Sequence, residues 1–255
     1  MSDHARPAVR TASGGLAATA ALALLAAPAH AGERVLGGTE EASASWVVAL
    51  TDRDGRQFCG GTLVTPVKVV TAAHCVDSRA PAGLRVISGR PDLRASTGAV
   101  RTVGEVWVHP GFRDVTAGDD VAVLTLAEPA PEPTLPLAGA EETERYRPGA
   151  PARVFGWGRT TETGPSSEVL RSVEVAISDD AGCRVAYPEH DPGTRVCAGV
   201  PDGGRDACAG DSGGPLVADG MLIGVVSYGT GCGRPGVPGV YTRVSSVADA
   251  VAARL

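Results

Sequence analysis

Short apolar runs rich in β-branched residues, broken by Gly, Pro and Asp, recur along most of the chain. They occupy residues 46–51, 68–72, 84–88, 100–108, 121–126, 153–157 and 169–177. Each suits a β-strand, and their number and spacing predict a sandwich or a barrel. Residues 216–227 read as a hairpin folded about Asp219-Gly220, a dipeptide that tolerates the positive φ of tight turns. Helical periodicity is confined to the C-terminus. There Val247, Val251 and Leu255 recur at four-residue spacing, with Ser245 or Ser246 as the cap. Residues 128–148 are Pro-rich and then acidic with little periodicity, and read as a connector between two all-β halves. No convincing internal repeat emerges.

The N-terminus breaks this pattern. His4, Arg6 and Arg10 precede an apolar run over residues 16–27, which ends at Ala29-His30-Ala31. A basic stretch, an apolar stretch and a small-x-small site are the layout of a secretory signal peptide, here residues 1–31. The run falls short of the about 20 apolar residues that a membrane span needs. The expectation is a secreted, extracellular protein with no membrane association after signal removal.

Export changes the reading of the six cysteines, Cys59, Cys75, Cys183, Cys197, Cys208 and Cys232. An even number in an exported chain favours disulfides. No Cys-x-x-Cys pair occurs, so no metal is expected, and spacing alone does not choose the pairing. Acidic residues number 29 against 23 basic ones, with no basic block, which argues against nucleic acid as a partner. Lys68 is the only Lys; that usage, with abundant Ala, Gly and Pro, points to a GC-rich bacterial genome. The length left after the signal suits one large domain or two small ones.

The candidate chemistry begins at Ser212. Gly210-Asp211-Ser212-Gly213-Gly214 fits the G-x-S-x-G pattern of a nucleophile elbow, but that fold places its histidine after the serine. No histidine follows Ser212; beyond the signal only His74, His109 and His190 remain. A histidine upstream is the alternative. His74 lies in Thr71-Ala72-Ala73-His74-Cys75, and Asp119-Asp120 precede Val121-Ala122-Val123-Leu124. A serine hydroxyl needs a base to take its proton, and the base needs an acid to fix its tautomer. Taken singly, a packed histidine and a solvated acidic turn are the bland readings; taken together they leave the order His, Asp, Ser unexplained.

These residues resemble those of the chymotrypsin-like, or trypsin-like, serine peptidases. So do Val35-Leu36-Gly37-Gly38, Cys59-Gly60-Gly61, Gly156-Trp157-Gly158, Gly210 to Pro215, Ser227-Tyr228-Gly229 and Gly239-Val240-Tyr241, all in family order across essentially all of residues 35–255. The resemblance implies an all-β fold of two antiparallel six-stranded β-barrels, one over about 35–135 and one over about 146–245, with the active site in the cleft and a short C-terminal helix. It implies Ser212 as nucleophile, His74 as general base and then acid, and Asp120 as its orienting acid, with Asp119 the competing choice. Gly210 and Ser212 would supply an oxyanion hole through their N–H groups, and Ser227 would hydrogen-bond Asp120. The cysteine pairs would be Cys59 with Cys75, Cys183 with Cys197 and Cys208 with Cys232.

The same resemblance gives the two acids near Ser212 separate tasks. Cutting after Arg34, which removes residues 32–34, would free the amine of Val35 to pair with Asp211. Asp206 would sit at the base of the primary pocket, between Gly229 and Gly239, and select Arg or Lys. Ala207 stands where many trypsins carry serine, which tilts the expectation towards Arg. Ser227, Tyr228 and Gly229 would offer an edge to an extended substrate. Protein or peptide substrates and proteinaceous protease inhibitors are the expected partners of a monomer, with no cofactor. Pro238 argues against a sodium site, and a lone Asp92 in the loop after Ile87 against the usual calcium site.

Overall fold

The structure is a computed structural model that describes residues 1–4 and 36–255. The chain divides into Met1–Gly32 and Glu33–Leu255, and every strand and helix among the described residues lies in the second unit. The signal-like run, Arg34 and Val35 lie outside the described residues. No helix among the described residues is long and apolar enough to cross a membrane.

Among the described residues thirteen strands and two α-helices follow one another. The first seven strands are β1 (Thr39–Glu40), β2 (Val47–Thr51), β3 (Gln57–Thr65), β4 (Lys68–Thr71), β5 (Arg85–Ser88), β6 (Ala99–Val108) and β7 (Ala122–Leu126). The last six are β8 (Pro151–Gly156), β9 (Arg171–Ile177), β10 (Arg195–Gly199), β11 (Pro215–Ala218), β12 (Met221–Tyr228) and β13 (Gly239–Arg243). Helix α1 (Asp180–Ala186) lies between β9 and β10, and α2 (Val244–Ala252) ends the fold. All strand pairs are antiparallel. One closed barrel runs β2-β3-β4-β7-β6-β5, and a second runs β9-β10-β13-β12-β11-β8 and closes through β8–β9. The two-residue β1 pairs with β9 and so joins the second barrel, although it precedes the first in the chain.

Strand β2 shows how the barrels are held together. All five of its residues are buried, because its two faces meet two cores. Val48 and Leu50 point into the first barrel with Leu63, Val69 and Leu124. Val47 and Ala49 alternate to the other face and pack with Phe155, Trp157 and Leu170 of the second half. Each buried Val or Leu among them contributes roughly 1.5–3 kcal/mol by leaving water. Trp46 meets Phe155 edge-on at 5.0 Å between ring centroids across this junction.

The predicted hairpin forms. Asp219 and Gly220 take φ of 45° and 74°, the left-handed pair that a two-residue turn between twisted strands requires. The C-terminal helix also forms, but Arg243 caps it without a side-chain hydrogen bond; Ser246 Oγ instead donates back to Arg243 O. Its buried stripe is Val244, Val247 and Val251, and it packs with the first barrel's core. Leu255 lies beyond the helix and is exposed. Helix α1 is one the periodicity missed: it spans seven residues with Gly182 inside, and rests on Asp179 accepting from Gly182 N–H at 2.6 Å. The segment 128–148 does connect the barrels, pinned by the buried Ala130, Leu135 and Ala138.

Candidate active site

The site begins at the end of β4. After Thr71 the chain makes one 3-10 turn, Ala73–Cys75, which carries His74 out of the barrel. Cys75 is disulfide-bonded to Cys59 on β3, fixing that turn from below. His74 N–H donates to Asp120 Oδ1 at 2.9 Å, and His74 Nδ1 lies 2.7 Å from Asp120 Oδ2. The Asp120 side chain is fully buried, whereas the imidazole is one-quarter exposed. Its neighbour Asp119 points elsewhere, to His109 Nδ1 at 3.3 Å.

The second barrel holds Asp120 from behind. Ser227 Oγ donates to Asp120 Oδ2 at 2.6 Å, and Thr242 Oγ1 donates to Asp120 O at 2.8 Å. Arg195 reaches across to Thr116 O at 2.6 Å and Gly118 O at 3.2 Å, bracing the loop that leads into Asp119-Asp120. Four acceptors on the first half thus receive donors from β10, β12 and β13, and the acid is buried by a junction rather than by its own barrel.

Ser212 approaches the same turn from the other side. Gly60 N–H donates to Ser212 O at 2.7 Å, and Thr71 Oγ1 donates to Gly60 O at 2.7 Å. Gly213 has φ of 78°, and a Cβ there would strike Thr71 Oγ1 and Gly60 O; only glycine lets the two backbones meet so closely. Among the described residues no hydrogen bond joins Ser212 Oγ to His74 Nε2, and such contacts often tighten only when substrate is bound. Gly210, with φ of 101°, turns its carbonyl to Gln57 Nε2 at 2.8 Å. Asp211 N–H is used, donating to Cys208 O at 2.9 Å, while the N–H groups of Gly210 and Ser212 on either side have no protein acceptor among the described residues. Two free donors, one of them the serine's own N–H, can stabilise a developing oxyanion.

Beside Ser212 opens a cavity of ≈ 410 Å³, whose walls include Ser212, Ser227, Gly229, Gly239 and Tyr241, with Asp206 at its base. Asp206 is 4% exposed and accepts from Ala207 N–H at 2.8 Å and Gly233 N–H at 3.1 Å. Burial pushes its carboxyl up to about 7, partly offset by those backbone donors. A Cβ on Gly239 would come within 2.8 Å of Asp206 Oδ1, so the missing side chain keeps the carboxylate open to the cavity. Tyr241 is buried beside it, and its hydroxyl has no protein partner among the described residues. Burial, then the charge of Asp206, holds that phenol well above its ordinary range.

A sequence model of the family described as Trypsin matches residues 35–251. The chain belongs to the trypsin family of serine peptidases. It is 49% identical over 204 residues to a protein named Trypsin from Saccharopolyspora erythraea, covering 80% of this chain and 89% of that one. It is 41% identical over 222 residues to the Vitellin-degrading protease of Bombyx mori, covering 85% and 83%. With Trypsin eta of Drosophila melanogaster the figure is 36% over 243 residues, covering 91% and 92%. This trypsin-family chain is therefore a serine endopeptidase that acts on protein or peptide substrates.

Three disulfides join the trypsin-family domain internally, Cys59–Cys75, Cys183–Cys197 and Cys208–Cys232. The last ties the Ser212 loop to the loop after Gly229. Asp211 is fully buried; its carboxylate accepts from Gly158 N–H at 2.7 Å and Cys208 N–H at 2.9 Å. Desolvation raises its pKa to about 6, against the pull of those two donors. Leu36, the first described residue of the domain, gives its carbonyl to Asp206 N–H at 3.2 Å. Sequence reading gave no role to Gln57, Thr242, Arg195 and Tyr241, which all serve this region, nor to Glu162, which also lines the cavity. Gln57 alone carried a signal, as the only Gln in the chain.

Proposed function

We propose that this peptidase is secreted, is made as a zymogen and cuts after Arg, and less readily after Lys, by a Ser-His-Asp acyl-enzyme mechanism. Residues 1–31 are the signal peptide, 32–34 the activation segment and 35–255 the peptidase domain. The observation that carries the specificity is the buried Asp206 carboxylate at the base of a cavity that also opens on Ser212. A guanidinium presents a planar fork to a carboxylate. A neutral side chain leaves the buried acid unpaired and is rejected as well as unrewarded. Ala207 brings no hydroxyl to help a Lys ammonium, hence the tilt to Arg.

In this reading the substrate lies as an extended strand along Ser227, Tyr228 and Gly229. Ser212 Oγ attacks the carbonyl carbon as His74 Nε2 takes its proton. Asp120, 2.7 Å from Nδ1, fixes the tautomer and stabilises the imidazolium. The oxyanion receives the free N–H groups of Gly210 and Ser212. His74 then protonates the leaving amine, and water repeats the sequence to release the acid and restore the serine.

Activation follows cleavage after Arg34, which suits the same pocket and so permits self-activation. The freed Val35 amine pairs with Asp211, whose buried carboxylate has two backbone donors and no cationic partner among the described residues. The matured protein is expected to act as a monomer and to be open to proteinaceous inhibitors. A cleavage profile on a mixed peptide library tests the reading: cuts are expected after Arg and then Lys, and cuts after neutral residues would overturn it.

A further inference from the structure

Asp206 is not the only acid in the cavity. Among the described residues one other carboxylate, Glu162, lines it. The two sit at opposite ends: Asp206 is 4% exposed, whereas the Glu162 side chain is 42% exposed and stands at the mouth. Glu162 is ion-paired with Arg234, which is itself half-exposed. The pair closes over Gly231, where a Cβ would strike both Arg234 Nε and Glu162 Oε1. Thus a protein-borne guanidinium occupies an acid at the opening of a pocket whose base is an acid with no ion-pair partner among the described residues.

We propose that Glu162 is a specificity-determining residue that meets the substrate's basic side chain at the mouth of the pocket, and that Arg234 competes for it. This rests on the reading of Asp206 as the seat for Arg. Both partners of the mouth pair are well exposed, and exposed ion pairs are held together by little net free energy, so an arriving cation can displace Arg234 at little net cost. The mouth acid then draws the cation in, and the buried acid receives it. Loss of Arg234 leaves Glu162 unneutralised and strengthens the attraction; loss of Glu162 removes it.

A purely structural brace between the loops that bear Glu162 and Arg234 makes a different demand. Breaking a brace from either end acts in the same direction. The test compares mature wild type, Arg234→Ala, Glu162→Gln and the double variant. The readouts are kcat/KM on Arg peptides and the binding of benzamidine, each at low salt and at 1 M salt. Arg234→Ala is expected to raise kcat/KM and tighten benzamidine by about two- to five-fold at low salt, the range open to an exposed charge pair. Glu162→Gln is expected to lower both, chiefly through KM, and the double variant to follow Glu162→Gln. The differences should fade at 1 M salt, where screening acts within about 3 Å. Single variants that both lose activity, or neither of which changes, overturn the assignment while the Arg preference of the wild type stands. A wild type indifferent to basic residues would remove the reading of Asp206 and this inference with it.

Discussion

The most demanding prediction concerns the pH dependence of cation binding at Asp206. In the empty pocket its carboxyl is pushed from 3.8 to about 7, by desolvation first, then by the charge of Asp211, against the pull of the backbone N–H groups around it. That spread amounts to about 4 kcal/mol by which the buried site disfavours the carboxylate. An amidinium binds the ionised form and restores the charge its environment withholds. Benzamidine should therefore bind about tenfold more tightly per pH unit from pH 5 towards 7, then level off, leaving it about 100-fold weaker at pH 5 than on the plateau. Benzamide, neutral and of the same shape, controls for every other titrating group and should change little. Calorimetry on matured Ser212→Ala protein reads both ligands without turnover. The linked stability has a definite sign. In the uncut chain, before any amine pairs with Asp211, Asp206 and Asp211 both have raised folded pKa values, about 7 and about 6, so folding takes up protons there. Their contribution is present in full below about 3.8, and is lost as pH climbs through those two values. Benzamidine should thus raise Tm more at pH 8 than at pH 5. Flat binding of benzamidine between those limits, or a parallel trend for benzamide, would refute the argument that an isolated buried carboxylate sets specificity.

Further outcomes are expected. Asp120→Asn should leave the fold intact and lower kcat with little change in KM; the expected size, about 10⁴-fold, is that of the same substitution in the family's prototype. Ala207→Ser should bring the kcat/KM values for matched Lys and Arg peptides closer together, and an unchanged ratio would count against a role for the missing hydroxyl. Arg34→Gln should leave the precursor uncut and inactive. In matured protein, acetylating the Val35 amine should abolish activity, and the unmodified enzyme should lose activity reversibly at high pH. That sign follows because pairing with Asp211 raises the amine above its usual value near 7.7–8, so the pairing is complete below that value and is lost as pH rises through the folded one.

The division between what was legible in the sequence and what was not follows the range of the interactions. Most barrel strands carry their own apolar run between turn residues, so β2, β4 to β9 and the Asp219-Gly220 hairpin could be read off directly. Strand β3 was harder, because Gly60 and Gly61 interrupt its apolar run. Those glycines belong to a second reason: Gly60 passes close to Gly214 and takes the Ser212 carbonyl as its acceptor, a contact made across more than half the chain that no local propensity records. Helix α1 was hidden for the opposite cause, being too short to show a period and dependent on a single cap.

The candidate site divides in the same way. His74, Asp120 and Ser212 could be nominated because their residue types and order point to one chemistry. What selects Asp120 over Asp119 is not written beside either of them. It is written in Ser227 and Thr242, which come from the other barrel and aim two hydroxyls at Asp120, while His109 engages Asp119. Arg195 acts at the same junction by holding the carbonyls of Thr116 and Gly118. Ser227 was nominated by the resemblance alone, and Thr242 and Arg195 not at all, since a Thr and an Arg are ordinary residues until the barrels meet and bury them. Glu162 belongs with them: its loop shows only polar, turn-forming residues, and its place at the mouth of the cavity depends on Arg234, 72 residues away. The residues that could do chemistry are thus chosen by type, but the residues that decide which of them are poised to do it are chosen by docking, and docking is a property of two surfaces at once.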